Sequence, residues 1–294
     1  MIRFDDQVAV VTGAEAGLGR SHALGLAARG ARVVVNDMGV PSTVVSEIEA
    51  AGGQAVAAPA DVSDPVAVRD MVAQVMDHWG RIDILINNAG ILRDKTFAKM
   101  DMDDFAKVIN VHLMGTAQCC HAVWPIMRAQ GYGRIVLTAS GSGLYGNFGQ
   151  SNYGAAKAAM VGLMNVLHLE GARDDIRVNT LAPTAATAMT EGLLPQAALD
   201  LLQPETITPG VLHLVSQDAP SRAILSAGGG TFAITQITET QGALIEGEIT
   251  PEAVAAAWSK ISDPTDAEPL ENAFAQTRKY ALRAAKAKGV NLDW

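Results

Sequence analysis

The chain has 294 residues, 49% hydrophobic and 18% charged, and its 31 acidic against 22 basic side chains leave a net charge of −9. This composition excludes a largely disordered chain, a collagen-like repeat and a disulfide scaffold, and the acidic balance argues against nucleic acid as a partner, because phosphate binding needs a basic face. At roughly 150 residues per domain the length allows two domains, yet an α/β sheet often reaches this size as one. Cys119 and Cys120 are neighbours. A bridge between adjacent residues is strained, so both are expected as reduced thiols beside a helix, as suits a reducing compartment. With no signal peptide and no apolar run of about 18 residues, a soluble cytoplasmic protein without a membrane span is expected.

In chain order, residues 7–11 form a short apolar run that ends in a Gly-rich turn, and 18–29 read as a helix closed by Gly30. Residues 31–35 carry three valines in a row, as in a strand covered on both faces of a parallel sheet. A helix is expected at 42–51 and a weaker strand at 54–58. Asp64-Pro65 opens a helix that runs to Trp79, with Pro in the first turn, where its missing N–H does little harm. Residues 82–86 read as a strand, 103–128 as a long helix bent near Pro125, 134–138 as a strand, 151–170 as a long helix and 176–181 as a strand. Helical stretches are expected at 190–202 and 204–217, and a last strand at 231–238. Six or more βα units in series specify a doubly wound α/β sheet with right-handed crossovers. Residues 1–245 are expected to form one dinucleotide-binding and catalytic domain. Residues 246–294 are expected to form a helical extension packed on it or on a neighbouring subunit.

The turn TGAEAGLG (12–19) stands between the first strand and the first helix. Gly13, Gly17 and Gly19, with Leu18 between the last two, let the backbone approach a diphosphate at a helix N-terminus. The spacing is G-x-x-x-G-x-G. Asp37 follows the second strand, where a carboxylate accepts hydrogen bonds from an adenosine ribose and repels a 2′-phosphate, which favours NAD over NADP. Asp61 and Val62 follow the third strand, where the adenine edge would lie, although Asp61 also suits a loop cap near Asp64. Asn88, Ala89 and Gly90, in the run NNAG at 87–90, permit close approach of a cofactor, and their amides can tie strand ends together.

Tyr153 and Lys157 are four apart on a predicted helix and share a face. A free phenol has a pKa near ~10 and is a poor base at neutral pH. A neighbouring ammonium lowers that value, so the pair can move a hydroxyl proton as hydride moves to or from a nicotinamide. Ser140 ends the fifth strand, at the edge where ligands of such sheets bind, and its hydroxyl can hold a substrate oxygen. Asn110 lies inside a long helix, where amides are disfavoured. A helix distortion there could tie a water to Lys157. The six histidines (His22, His78, His112, His121, His168, His213) lack paired ligand spacing, so no metal site is expected. There is no G-x-S-x-G elbow around Ser142 and no Walker A lysine.

Together, TGAEAGLG, NNAG, Asn110, Ser140 and YGAAK (153–157) resemble the short-chain dehydrogenase/reductase family over roughly residues 5–240. The resemblance implies a Rossmann-type parallel sheet of about seven strands with helices on both faces. It also implies Asn110, Ser140, Tyr153 and Lys157 as the catalytic tetrad, with Ser140 and Tyr153 on the substrate. The runs 16–37, 87–100, 132–157 and 179–190 are similar to members that oxidise a 3-hydroxyacyl-CoA or a 17β-hydroxysteroid with NAD. The family's Pro-Gly after the sixth strand reads Pro183-Thr184 here, and Thr187 matches the threonine that holds the nicotinamide amide. Small residues along the helix of Tyr153 (Gly154, Ala155, Ala158, Gly162) suit the helix pairing of a homodimer or homotetramer. Two other readings stay open: a generic 3-ketoacyl reductase of the same family, and a nucleotide-sensing protein on the same scaffold that needs the turn but not the tetrad.

Overall fold

Eight strands form a single sheet in the computed structural model of the chain, which describes residues 1–187 and 195–293. The strands are β1 (Val8–Thr12), β2 (Arg32–Asp37), β3 (Gln54–Pro59), β4 (Ile84–Asn87), β5 (Gly133–Thr138), β6 (Ile176–Pro183), β7 (Ile224–Gly228) and β8 (Thr231–Thr235), in spatial order β3-β2-β1-β4-β5-β6-β7-β8. β1 to β7 pair in parallel. The order reverses between β1 and β4, and the crevice outside the carboxyl ends there is where sheets of this kind bind ligands.

The central strands are buried on both faces because helices cover both. On one face Val8, Val10, Leu85 and Ile135 pack against α3 (Pro65–Trp79), α5 (Gly115–Gln130) and α7 (Ser151–Gly171). On the other, Ala9, Val11, Ile84 and Val136 pack against α1 (Gly17–Ala27), α2 (Ser42–Ala50) and α9 (Thr208–Leu214). This division follows from the two-residue period of side chains along a strand. The ends of α3 are set as its sequence predicts: Asp64 accepts from the N–H groups of Val66 and Ala67, and Gly80 closes the helix at φ +72°. Cys119 and Cys120 are buried free thiols, both pushed up by burial.

Three expectations need correction. The long helix at 103–128 consists of α4 (Met102–Ile109), a π-helical turn (Asn110–Met114) and α5, with Pro125 inside α5. The irregularity therefore lies at Asn110, where the N–H of Gly115 reaches back five residues to the Asn110 carbonyl. The last parallel strand is β7, whose Ala- and Gly-containing run ILSAG reads weakly as a strand. The expected strand at 231–238 is the shorter β8, which returns antiparallel as a hairpin. Gly229 and Gly230, at φ +54° and +75°, make the two-residue turn that this hairpin requires. The helix expected at 190–202 is described only as α8 (Gln196–Leu201), and its expected start lies outside the described residues. Short turns at Gly141–Tyr145 (α6) and Pro204–Thr206 flank the site region.

The chain divides into two compact units, Met1–Thr235 and Gln236–Trp294. The second holds α10 (Pro251–Ala256), α11 (Trp258–Ile261) and α12 (Ala273–Lys288), the last capped by Asn272 and closed by Gly289. Within it the Lys279 ammonium pairs with Glu239 at 3.0 Å. Among the described residues no helix is long and apolar enough to cross a membrane.

Candidate active site

The Gly-rich turn joins β1 to α1 at the crevice. Gly13 and Gly17 have φ of +61° and +54°, and a Cβ on Gly19 would lie 2.1 Å from the Gly13 carbonyl oxygen. Only glycine permits this backbone path. Asn88 knits the turn to β4: its Nδ2 donates to the carbonyls of Thr12 and Gly13 at 3.1 and 3.0 Å, while the N–H groups of Asn88 and Ala89 donate to Thr12 Oγ1. The first turn of α1 receives no side-chain cap from Ala16. Free helix N–H groups behind a tight glycine turn fit the diphosphate of a dinucleotide.

Asp37 stands at the end of β2 beside this turn. Its carboxylate accepts from the N–H of Glu15 at 3.3 Å and from that of Met38 at 2.8 Å. The neighbours after β3 behave differently. Asp61 Oδ1 accepts from the N–H and hydroxyl of Ser63, which is the loop-cap arrangement, and Val62 is buried against Gly115. After β6, the Thr184 N–H donates to the Ala227 carbonyl, and the Thr187 methyl faces Gly17, 3.4 Å from where a Cβ would be. The segment after Pro183 thus reaches back to the Gly-rich turn.

Ser140 follows β5 and caps α6 by accepting from the Ser142 N–H at 3.2 Å. Tyr153 and Lys157 lie on the inner side of α7, with the Lys157 Nζ 5.6 Å from the centre of the Tyr153 ring. Burial raises the Tyr153 phenol above its ordinary value, and a hydrogen bond with Ser140 pulls it back. Lys157 is fully enclosed and donates to the Thr138 carbonyl at 2.6 Å. Desolvation pushes it down to about 7. In the free protein desolvation governs both groups, and the lysine proton is directed at the β5 backbone. Asn110 opens the π turn, which packs against α7.

His112 is one of the six histidines whose spacing suits no metal site. It is 2% exposed, its Nε2 lies within hydrogen-bond distance of the Ile91 backbone, and its Nδ1 is buried without a hydrogen-bond partner. Desolvation, then the Lys157 charge, push it down to about 3, so it is neutral. A Cβ on Gly90 would lie 2.1 Å from its Cε1, which gives Gly90 a reason to be glycine. No sequence signal marks His112, because its direction depends on the π turn. Among the described residues no group of three or more His, Cys, Asp or Glu is placed to hold a metal.

A cavity of about 310 Å³ opens beside Ser140, lined by Gly141, Tyr145, Ala182, Thr184, Leu202 and Ser226 among others. The Tyr145 hydroxyl and Ser226 both hydrogen-bond Thr235 Oγ1 at its rim. A larger cavity of about 510 Å³ lies within the second unit against Lys260, Arg283 and Lys286, and none of the residues singled out above lines it.

Residues 7–197 match the short chain dehydrogenase family. The chain belongs to that family. It is an oxidoreductase with the Rossmann-type sheet of its relatives. It is 41% identical to peroxisomal multifunctional enzyme type 2 of Drosophila melanogaster over 92% of its own length and 47% of the relative. A solved structure of that full-length enzyme superposes with a TM-score of 0.85 at 37% identity, covering 97% of this chain and 50% of the other. The chain is also 43% identical to the peroxisomal hydratase-dehydrogenase-epimerase of Saccharomyces cerevisiae, over 90% of itself and 31% of the relative. This dehydrogenase therefore spans about half or less of those curated relatives. A 7α-hydroxysteroid dehydrogenase, solved with NADH and 7-oxo glycochenodeoxycholic acid, matches at TM-score 0.72 and 31% identity, over 78% of this chain and 95% of that one.

Proposed function

We propose that this dehydrogenase interconverts a secondary alcohol and a ketone with NAD, on a 3-hydroxyacyl-CoA or a 17β-hydroxysteroid. The observation that carries the reading is a phenol, Tyr153, that shares the inner side of α7 with the enclosed amine of Lys157, whose Nζ lies 5.6 Å from the ring centre, at the sheet edge that bears Ser140 and the glycine turn. Relatives named as a hydratase-dehydrogenase-epimerase and a hydroxysteroid dehydrogenase support the substrate classes, and the NADH of the latter supports the cofactor.

Bound NAD supplies the hydride acceptor. Gly13, Gly17, Leu18 and Gly19 hold its diphosphate, Asp37 the adenosine ribose, and Asp61 and Val62 the adenine edge. Asn88, Ala89, Gly90, Pro183, Thr184 and Thr187 border the nicotinamide half, together with Tyr153 and Lys157. Ser140 Oγ orients the substrate oxygen. Tyr153 takes the hydroxyl proton in oxidation and returns it in reduction. The raised phenol of the free protein is already in the acid form that ketone reduction uses, and Lys157, when charged, would stabilise the phenolate that oxidation needs from its position 5.6 Å from the ring centre. Asn110, at the π turn, supports proton exchange with solvent through Lys157.

The reading includes a homodimer or homotetramer in the cytoplasm. Ala155, Ala158, Gly162, Val166 and Leu169 form an exposed apolar stripe along α7, and nothing lies within 4 Å of where a Gly162 Cβ would be. The buried free thiols support a reducing compartment. The decisive experiment is Tyr153→Phe, assayed by nicotinamide absorbance against a panel of 3-hydroxyacyl-CoA chain lengths and 17β-hydroxysteroids with NAD and NADP. Turnover is expected to vanish while NAD binding persists; a rate like that of wild type removes the assignment.

A further inference from the structure

Glu15, in the middle of the Gly-rich turn, places its carboxylate at the start of α2. Oε1 accepts from the N–H of Thr43 at 3.1 Å and Oε2 from that of Val44 at 3.4 Å. These are the second and third residues of a nine-residue helix whose own N-cap, Pro41, offers no side-chain acceptor. The Glu15 backbone N–H meanwhile donates to Asp37 Oδ2 at 3.3 Å. The two carboxylates are thus anchored around one backbone unit at the edge where β2 ends. The cation that links α1 to α2 there, Arg20, is paired with Glu47.

The two helix N-termini at this crevice are treated in opposite ways. That of α1 receives no side-chain cap from its N-cap residue, whereas that of α2 is filled from outside by an internal anion. A helix N-terminus with two free N–H groups beside a ribose pocket would hold a phosphate ester on that ribose. We infer that Glu15 is a specificity-determining residue: its carboxylate occupies the phosphate position at the start of α2 and, with Asp37, excludes a dinucleotide bearing a 2′-phosphate. This inference rests on the proposed seat of the adenosine ribose at Asp37. Charge and occupancy act together. A 2′-phosphate would have to displace the carboxylate from the Thr43 and Val44 amides and sit beside two like charges.

Calorimetry on the full chain tests this without turnover, using ADP and adenosine 2′,5′-bisphosphate as probes. Glu15→Gln keeps an acceptor for the helix amides and removes the charge; Glu15→Gly empties the position. Relative to wild type, the affinity ratio of the 2′-phosphorylated probe to ADP is expected to rise about tenfold in Glu15→Gln and further in Glu15→Gly, with ADP affinity itself within about threefold. Asp37→Ala, by contrast, is expected to weaken ADP while Glu15 still holds off the phosphate. If both Glu15 variants keep the wild-type ratio while binding ADP normally, the role of Glu15 is overturned and the ribose seat stands. If wild type binds neither probe, or Asp37→Ala leaves ADP affinity unchanged, the ribose seat itself fails and the inference falls with it. Should Glu15→Gly unfold for want of a helix cap, Glu15→Gln alone decides.

Discussion

The imidazole of His112 stands edge-on to the phenol ring of Tyr153, with ring centres 5.2 Å apart and planes at 85°. The contact ties the π turn, the Gly90 backbone and the proposed acid–base residue into one packed group, since His112 also fills the space that a side chain at position 90 would take. Because His112 is neutral and enclosed, its effect on Tyr153 is one of position.

Truncating that support is expected to loosen the phenol. His112→Ala should lower kcat about tenfold or more, with little change in NAD affinity, since small displacements of a reacting group cost rate steeply. His112→Phe should recover most of the rate by restoring the edge contact. Steady-state kinetics on the two variants checks this; a normal kcat in His112→Ala would show that the ring is mere filling. The pH–rate profile of His112→Phe should match that of wild type, because no imidazole titration is involved.

Acid should unfold the protein through two histidines. His22, enclosed beside Thr208, and His112 are both pushed down to about 3 by desolvation, from an ordinary 6.5. Between those values the unfolded chain binds protons that the native chain refuses. Stability is therefore retained above pH 6.5 and lost as pH falls toward 3, by about 1.4 kcal/mol per pH unit for each imidazole in mid-range. Urea unfolding between pH 7.5 and 4.5 should give a shallower decline for His22→Leu than for wild type; parallel curves would contradict the desolvation argument.

Lys157 should weigh on the stability of the free protein. Its amine titrates at about 7 in the native chain against 10.5 when solvated. The native state bears the full penalty of an enclosed ammonium below pH 7, and that penalty fades as pH rises toward 10.5. The stability of Lys157→Met relative to wild type should therefore be greatest at pH 6.5 and smaller at pH 9.5, with turnover lost at both. The loss of the hydrogen bond to Thr138 applies at both pH values and does not alter the trend. Melting curves at the two values are the check, and a pH-independent difference would count against the shift.

The stripe on α7 should mediate subunit contact. Gly162→Glu introduces a charge where a single chain has open space, so it is expected to leave the melting of the isolated subunit nearly unchanged while shifting light-scattering mass toward the monomer. An unaltered oligomer would move the interface elsewhere.

Much of the fold was legible because local signals agreed with one another. The valine-rich runs of β1 and β2 suit strands covered on both faces, Asp64-Pro65 marks the start of α3, and the glycine turn marks the ligand edge. The seventh parallel strand was missed because ILSAG carries little β preference of its own and is held by its register against β6. The π turn was visible only as an amide in the wrong place. The desolvation of Tyr153 and Lys157 in the free protein was not legible, because a sequence displays neighbours along a helix but not how far they are buried.

By itself, then, the order of residues determined the alternation of strands and helices, the turn that a diphosphate can approach, and which residue types stand at the carboxyl edge. Those features depend on glycine geometry, side-chain period and capping, all of which act within a few residues. Tertiary structure alone decided that Glu15 would cap a helix 28 residues away, that His112 would meet Tyr153, and that Lys157 would be enclosed. Each of these depends on the field and the space created by distant segments, which no local pattern encodes.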